Sequence, residues 1–272
     1  MLRKTDEKVI NFGIGATAGV ISRTLVAPLE RLKILHQVTD KIKNGYINCL
    51  KNIIHKEGFR GLFAGNGTNC IRILPKTSIQ YMSFELFNKY FDNKYLTGGL
   101  SGMVTTLCTY PLETIRSRLS VQNHKDKEAY KGIFDCSKSI YRNYGLKGFY
   151  RGIDITLVGS IPLYAINFGL FNYFQKKLGG NNTYNNFIAG NLSMLGALSM
   201  VYPSDLIRRR MQLRGEFGIP HYINWIHCAK DMIKKEGYMS LYRGIRADYF
   251  KMLPANGIFF VLIGLMKKYT FD

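Results

Sequence analysis

APLERLKIL (Ala27–Leu35) sets a proline, an acid and two bases directly after IGATAGVISRTLV (Ile14–Val26), a run that is apolar and small-residue-rich except for Arg23. The same grammar returns as YPLETIRSRL (Tyr110–Leu119) and YPSDLIRRRM (Tyr202–Met211), each time as Pro-x-acid-x-x-base. A proline inside a helix removes one backbone hydrogen bond and bends it, so three long helices are expected to turn their ends toward a common axis. Acid and base three residues apart share a helix face. In a threefold arrangement each acid then reaches the base of a neighbour, and the expected ring pairs Glu30 with Arg116, Glu113 with Arg208 and Asp205 with Lys33. Such a ring would plug a central cavity. Ordinary exposed pairs at this spacing contribute only a few tenths of a kcal/mol, and recurrence after each long helix favours the ring over that reading.

Working outward, six of the seven prolines form two series: Pro28, Pro111, Pro203 and Pro75, Pro162, Pro254. Offsets of 87 and 92 residues also relate Cys49, Cys136 and Cys228, then Gly58, Gly145 and Gly237, then Gly65, Gly152 and Gly244. The chain is therefore one domain over 1–272 made of three tandem units, at about 8–92, 93–178 and 179–272. Each unit reads as long helix, short amphipathic helix, glycine turn and long helix. The recurring cysteines read as small packing residues. With five cysteines and no CxxC, neither a disulfide frame nor a metal site is indicated.

Asn181–Ser204 runs 24 residues without a charge and Ile155–Gln175 runs 21. Both are long enough to span hydrocarbon at about 1.5 Å per residue. Arg23, Arg72 and Lys251 interrupt other long helices, and a charge at that depth is costly unless it faces water or a partner. The fold class expected is thus an all-α membrane protein of six transmembrane helices in three pseudosymmetric repeats, surrounding an aqueous cavity. Gly15 and Gly19, like Gly98 and Gly102, have the spacing for close helix contact.

Lysine and arginine number 38 against 18 acids, a formal charge of +20, which calls for an anionic partner. Nucleic acid is a poor fit, because long uncharged spans would be insoluble in a duplex-binding protein. An enzyme is a poor fit too: GIGATAG (Gly13–Gly19) resembles a phosphate loop but lies inside an apolar helix with no strand before it. The five histidines fall mostly on loops and short helices, where exposed polar roles are the default. No cofactor is called for. The opening MLRKTDEKVINFG shows neither a signal peptide nor an Arg/Ser-rich presequence, so targeting is expected to be internal.

The chain resembles the mitochondrial carrier family along essentially its whole length. The residues that carry the likeness are PLERLK with EGFRGLFAG, PLETIR with YGLKGFYRG, and PSDLIR with EGYMSLYRG, in which Tyr144 replaces an acid and Ala64 a base. The resemblance implies a multi-pass protein of the mitochondrial inner membrane, or of a related organelle, with short matrix helices and transport by alternating access. It makes Glu30, Lys33, Glu113, Arg116, Asp205 and Arg208 the matrix gate with Gln37 as a brace. It also implies a cytosolic network, of which only Glu85 and Lys267 keep ion-pair character, so that barrier is expected to be weak. Cardiolipin at glycine-led helix N-termini and a functional monomer belong to the same inference.

Cargo is read from the positions before the second proline series: Arg72, Gly159 with Ser160, and Lys251, joined by Arg23 and Arg209. Cations at several heights suit a cargo with more than one phosphate. Gly159 is expected to leave room for a flat ring, with Tyr164 or Tyr81 beside it. GVISRTLVAPLERLKILHQV and GLFAGNGTNCIRILP resemble the adenine-nucleotide branch, which implies exchange of ADP and ATP. Coenzyme A or ATP-Mg/phosphate is the alternative, supported by RRRMQL (Arg208–Leu213) and by Lys251 in place of an arginine. The resemblance associates a calcium-binding extension with calcium-regulated ATP-Mg/phosphate carriers, and the residues before Asn11 are expected to leave no room for one.

Overall fold

The computed structural model describes residues 4–38, 45–122, 129–179 and 182–271, and every described element is helical. In the first repeat, α1 (Lys4–Leu25) and α2 (Ala27–Val38) meet at Val26, two residues before Pro28. The counterparts α5 (Lys94–Val121) and α8 (Thr183–Gln212) run unbroken through Pro111 and Pro203. The expected bend is thus a break in the first repeat and a proline carried within the helix in the other two. Each repeat continues through a 12-residue helix, namely α3 (Tyr46–Glu57), α6 (Ile133–Tyr144) and α9 (Trp225–Glu236). Long helices then complete the repeats: α4 (Asn66–Asn88), α7 (Ile153–Lys177) and α10 (Ile245–Phe271).

The long helices pack in the cyclic order α1/α2, α4, α5, α7, α8, α10, and α10 returns to α1 and α2, closing a tube. Glycines make the closure possible. Gly65, Gly152 and Gly244, at φ near 80–90°, lead into α4, α7 and α10. A Cβ there would meet Ser120 on α5, Met211 on α8, and Gln37 with Tyr202, respectively. Each repeat therefore presses its second long helix onto the proline-bearing end of the next, and the third presses onto the first. Gly58, Gly145 and Gly237 close α3, α6 and α9 and stand at the N-termini of the five-residue 3-10 helices that follow.

Tight apolar packing is concentrated at this same end. Leu32, Ile34, Tyr202, Leu206, Ile207 and Met211 pack with Cys49 and Ile53 of α3 and Cys228 and Met232 of α9, while Cys136 and Ile140 join Ile115 and Leu119. The long helices instead expose apolar side chains such as Met82, Val158, Phe260 and Val261. That inversion suits a hydrocarbon surround, because lipid removes the penalty that water would impose.

Two stretches of the described residues are long and apolar enough to cross a membrane, Leu146–Lys177 and Tyr238–Met266. Asn181–Ser204 lacks charge yet falls short: its asparagines, serines and tyrosines lower the mean hydropathy. Some of that polarity turns inward, where Asn191 Oδ1 accepts a 3.0 Å bond from Asn256 Nδ2 and Ser199 meets the Tyr249 hydroxyl at 2.5 Å.

Candidate functional site

The tube encloses a cavity of about 390 Å³ whose floor lies at the proline-bearing ends. Glu30 Oε1 lies 2.7 Å from Arg116 Nη2, Glu113 Oε1 lies 3.4 Å from Arg208 Nη2, and Asp205 Oδ2 lies 2.9 Å from Lys33 Nζ. These three contacts join repeat one to two, two to three, and three to one. Arg208 also holds Asp205 on its own helix at 2.7 Å. Gln37, fully buried, donates to Asp205 Oδ2 at 3.1 Å and to the Tyr202 hydroxyl at 3.0 Å, so it sits directly under the ring.

The cargo candidates are tied into this floor. Arg72 Nη1 lies 2.5 Å from Glu113 Oε2, and Lys251 Nζ lies 2.9 Å from Glu30 Oε2 and 3.0 Å from Asp248 Oδ1. Arg209 contacts Glu113 at 3.2 Å and gives Nη1 to Ser117 Oγ at 2.7 Å, so it is buried in the floor although it borders the cavity. Arg23 lines the cavity and, among the described residues, donates only to the neutral Asn69 Oδ1, at 3.4 Å. Ser160 lines it as well, with its hydroxyl turned back to Thr156 O at 2.6 Å.

Two expected roles are corrected by the packing. Gly159 borders the cavity, but a Cβ there would collide with Ser204 of α8, whose Cβ would lie 2.9 Å away. The missing side chain lets α7 and α8 approach and leaves no open slot for a ring. Tyr164 is 53% exposed and does not line the cavity. The lining residues Thr156, Gly159, Ser160 and Leu163 share one face of α7, and Tyr164 stands about a quarter-turn to its side. Tyr81 is likewise exposed and outside the lining. Glu85 is exposed on α4, and the side chain of Lys267 lies outside the described residues.

The floor and cavity also include residues that the sequence reading does not single out. Asp248, 4% exposed, joins Lys33 at 2.7 Å to Lys251 and so extends the ring onto α10. Its signal was an acid on an apolar helix one turn before Lys251. Gln212 stands nine residues after Pro203 just as Gln37 follows Pro28, and it accepts from Ser117 Oγ at 2.7 Å. Lys76, next after Pro75, lines the cavity too.

A second ionic layer lies beneath the floor. Arg31 contacts Glu57 at 2.9 Å and donates to Ser120 O and Gln122 O at the end of α5. Arg210 similarly binds Glu236 at 2.7 Å. The second repeat lacks that acid because Tyr144 occupies its place. Arg118 pairs instead with Glu216 from beyond α8 and lies over the Tyr144 ring at 5.3 Å from its centroid. Glu216 also accepts from the Tyr130 hydroxyl at 2.9 Å.

A threefold helical tube with an ion-paired floor is the architecture of a solute carrier. Comparison with protein families agrees: the model for mitochondrial carrier protein matches residues 4–95, 91–182 and 179–272. The chain belongs to the mitochondrial carrier family, whose members are multi-pass transporters of the mitochondrial inner membrane and not enzymes. Among curated relatives, mitochondrial substrate carrier family protein P of Dictyostelium discoideum is 31% identical across 94% of this chain and 93% of its own. The mitochondrial adenyl nucleotide antiporter SLC25A24 of Homo sapiens is 32% identical across 93% of this chain, which spans only 57% of that protein. The mitochondrial adenine nucleotide transporter ADNT1 of Arabidopsis thaliana is 31% identical across 93% of this chain and 84% of its own.

Proposed function

We propose that the chain exchanges adenine nucleotides, of the ADP/ATP type, across the inner membrane by alternating access, acting as a monomer with cardiolipin among its lipids. The observation that carries this reading is the charge and shape of the cavity. Among the described lining residues there are eight cations (Arg23, Lys33, Arg72, Lys76, Arg116, Arg208, Arg209 and Lys251) and four acids (Glu30, Glu113, Asp205 and Asp248). The surplus of four positive charges suits a polyphosphate, since each phosphate group brings between one and two negative charges at neutral pH. Leu163, Met194, Leu198 and Val201, from α7 and α8, form an apolar wall across the tube from Arg23, Arg72 and Lys76 on α1 and α4. A cargo with phosphates at one end and a flat, weakly polar ring at the other fits both walls. The names of two relatives, an adenyl nucleotide antiporter and an adenine nucleotide transporter, point the same way.

The floor is the matrix gate in this reading. Arg72 and Lys251 hold Glu113 and Glu30, which are also ring acids. Cargo phosphates that recruit these two cations loosen both acids, so binding weakens the floor it rests on. A ligand shifts a conformational balance only by its differential affinity for the two states, and this competition supplies that difference. The test is a thermal-stability panel of purified protein with ADP, ATP, AMP, coenzyme A and phosphate, followed by liposome uptake of the best ligand. ADP and ATP should stabilise most and enter, and Arg72→Ala should abolish entry. Uptake of coenzyme A or phosphate alone, or full transport by Arg72→Ala, would refute the reading.

A further inference from the structure

Lys76 is exposed to the cavity and makes no hydrogen bond or ion pair with any described residue. The other cations bordering the cavity are held by carboxylates, with one exception. Arg72 and Arg209 meet Glu113, Arg116 and Lys251 meet Glu30, Lys33 meets Asp205 and Asp248, and Arg208 meets Asp205. The exception is Arg23, bound among the described residues only to neutral Asn69. Two of the four surplus charges thus stand on Arg23 and Lys76, neither of which must surrender an acid to take an anion. A phosphate bound by Arg72 or Lys251 has to displace a carboxylate, which costs part of the interaction gained.

Position adds to the argument. Lys76 follows Arg72 by one turn of α4, and the charges of Arg72 and Arg23 both act on it. The corresponding residues of the other repeats are Leu163 and Ala255, so of the three repeat-related positions only the one on α4 carries a charge. Leu163 belongs to the apolar wall across the tube. A nucleotide whose ring rests on that wall directs its phosphate chain toward α1 and α4, and a longer chain reaches further.

We propose that Lys76, with Arg23, is the docking point for the terminal phosphate of the cargo and sets a preference for di- and triphosphates over monophosphates. This rests on the nucleotide reading above. Because Lys76 makes no hydrogen bond or ion pair with a described residue, replacing it should leave the fold intact. Full-length Lys76→Gln and Lys76→Arg are compared with wild type by calorimetric binding of inorganic pyrophosphate, AMP, ADP and ATP, and by ADP uptake into liposomes. For Lys76→Gln, the dissociation constants for pyrophosphate, ADP and ATP should rise about tenfold while that of AMP changes less than about twofold. The uptake KM should rise with the maximal rate held, Lys76→Arg should restore binding, and the thermal midpoint should not move. Unchanged pyrophosphate and ADP binding in Lys76→Gln would overturn the proposal, as would an equal loss of AMP or a lowered thermal midpoint. Pyrophosphate binding that depends on Lys76 in a wild type that takes no nucleotide would sink the cargo reading and leave the anchor standing. Binding of none of the four ligands by wild type would sink both.

Discussion

Glu113→Gln is the substitution that presses hardest on the ionic floor. Its carboxylate faces three guanidinium groups, Arg72 at 2.5 Å, Arg209 at 3.2 Å and Arg208 at 3.4 Å, with side chains between 4% and 18% exposed. Neutralising the acid leaves three clustered cations, of which Arg208 keeps Asp205 while Arg72 and Arg209 keep no carboxylate partner among the described residues. Removing one partner of a buried pair costs about 3–5 kcal/mol. The carboxamide still accepts a hydrogen bond, so the lower figure applies. At about 2–4 °C per kcal/mol for a chain of this size, the melting midpoint should fall by about 6–12 °C. Cys49, Cys136 and Cys228 are buried in the folded protein and supply the assay, because a thiol-reactive dye labels them as the chain melts. Adding Arg72→Gln to Glu113→Gln should recover part of the loss, since one of the two cations left without a carboxylate is then absent. A midpoint within about 1 °C of wild type for Glu113→Gln would refute the reasoning.

Other expectations concern the layer beneath and the helix contacts. Glu216→Gln should lower the melting midpoint by removing the acid of buried Arg118, and adding Tyr144→Glu should restore it by supplying the acid that Glu57 and Glu236 provide elsewhere; failure of that rescue would contradict the pairing. Gly159→Ala should spread α7 from α8 and cut uptake, with Ser204→Gly as suppressor; normal uptake by the single variant would show that the contact is dispensable. Burial pushes the Cys136 and Cys228 thiols, and burial beside Glu216 the Tyr130 phenol, up to about 12. In the unfolded chain the thiols ionise near about 8.5. These groups bind protons more tightly when folded, so their stabilising share is complete below about pH 8.5 and is lost as pH rises toward 12. Circular-dichroism melts should therefore shift downward between pH 8 and about 10.5, and a flat profile would contradict the assignment.

Much of this architecture is legible in the chain because it is written three times. The proline offsets set which base stands opposite which acid, and in the structure Glu30–Arg116, Glu113–Arg208 and Asp205–Lys33 lie at ion-pair distance. The same offset applied to Gln37 would have yielded Gln212. Features that depend on depth or on a neighbouring helix are hidden. That Arg72 and Lys251 reach ring acids depends on how far α4 and α10 slide along α5 and α2, which no spacing within one helix encodes. Gly159 misled for the same reason: a missing Cβ reads as room until Ser204 is seen opposite it. Glu216 escaped because its partner Arg118 lies in another repeat and the acid sits outside every repeated motif.

Counter-exchange bears most directly on the central claim, that a cationic cavity with an ion-paired floor opens alternately around a nucleotide. Purified protein in liposomes is given labelled ADP outside, with ADP, an equal concentration of chloride, or nothing trapped within. Labelled ADP should accumulate only against trapped nucleotide, and uptake should vanish in Arg72→Ala. Equal uptake into empty liposomes, or none under any loading while a different anion enters, would contradict the account.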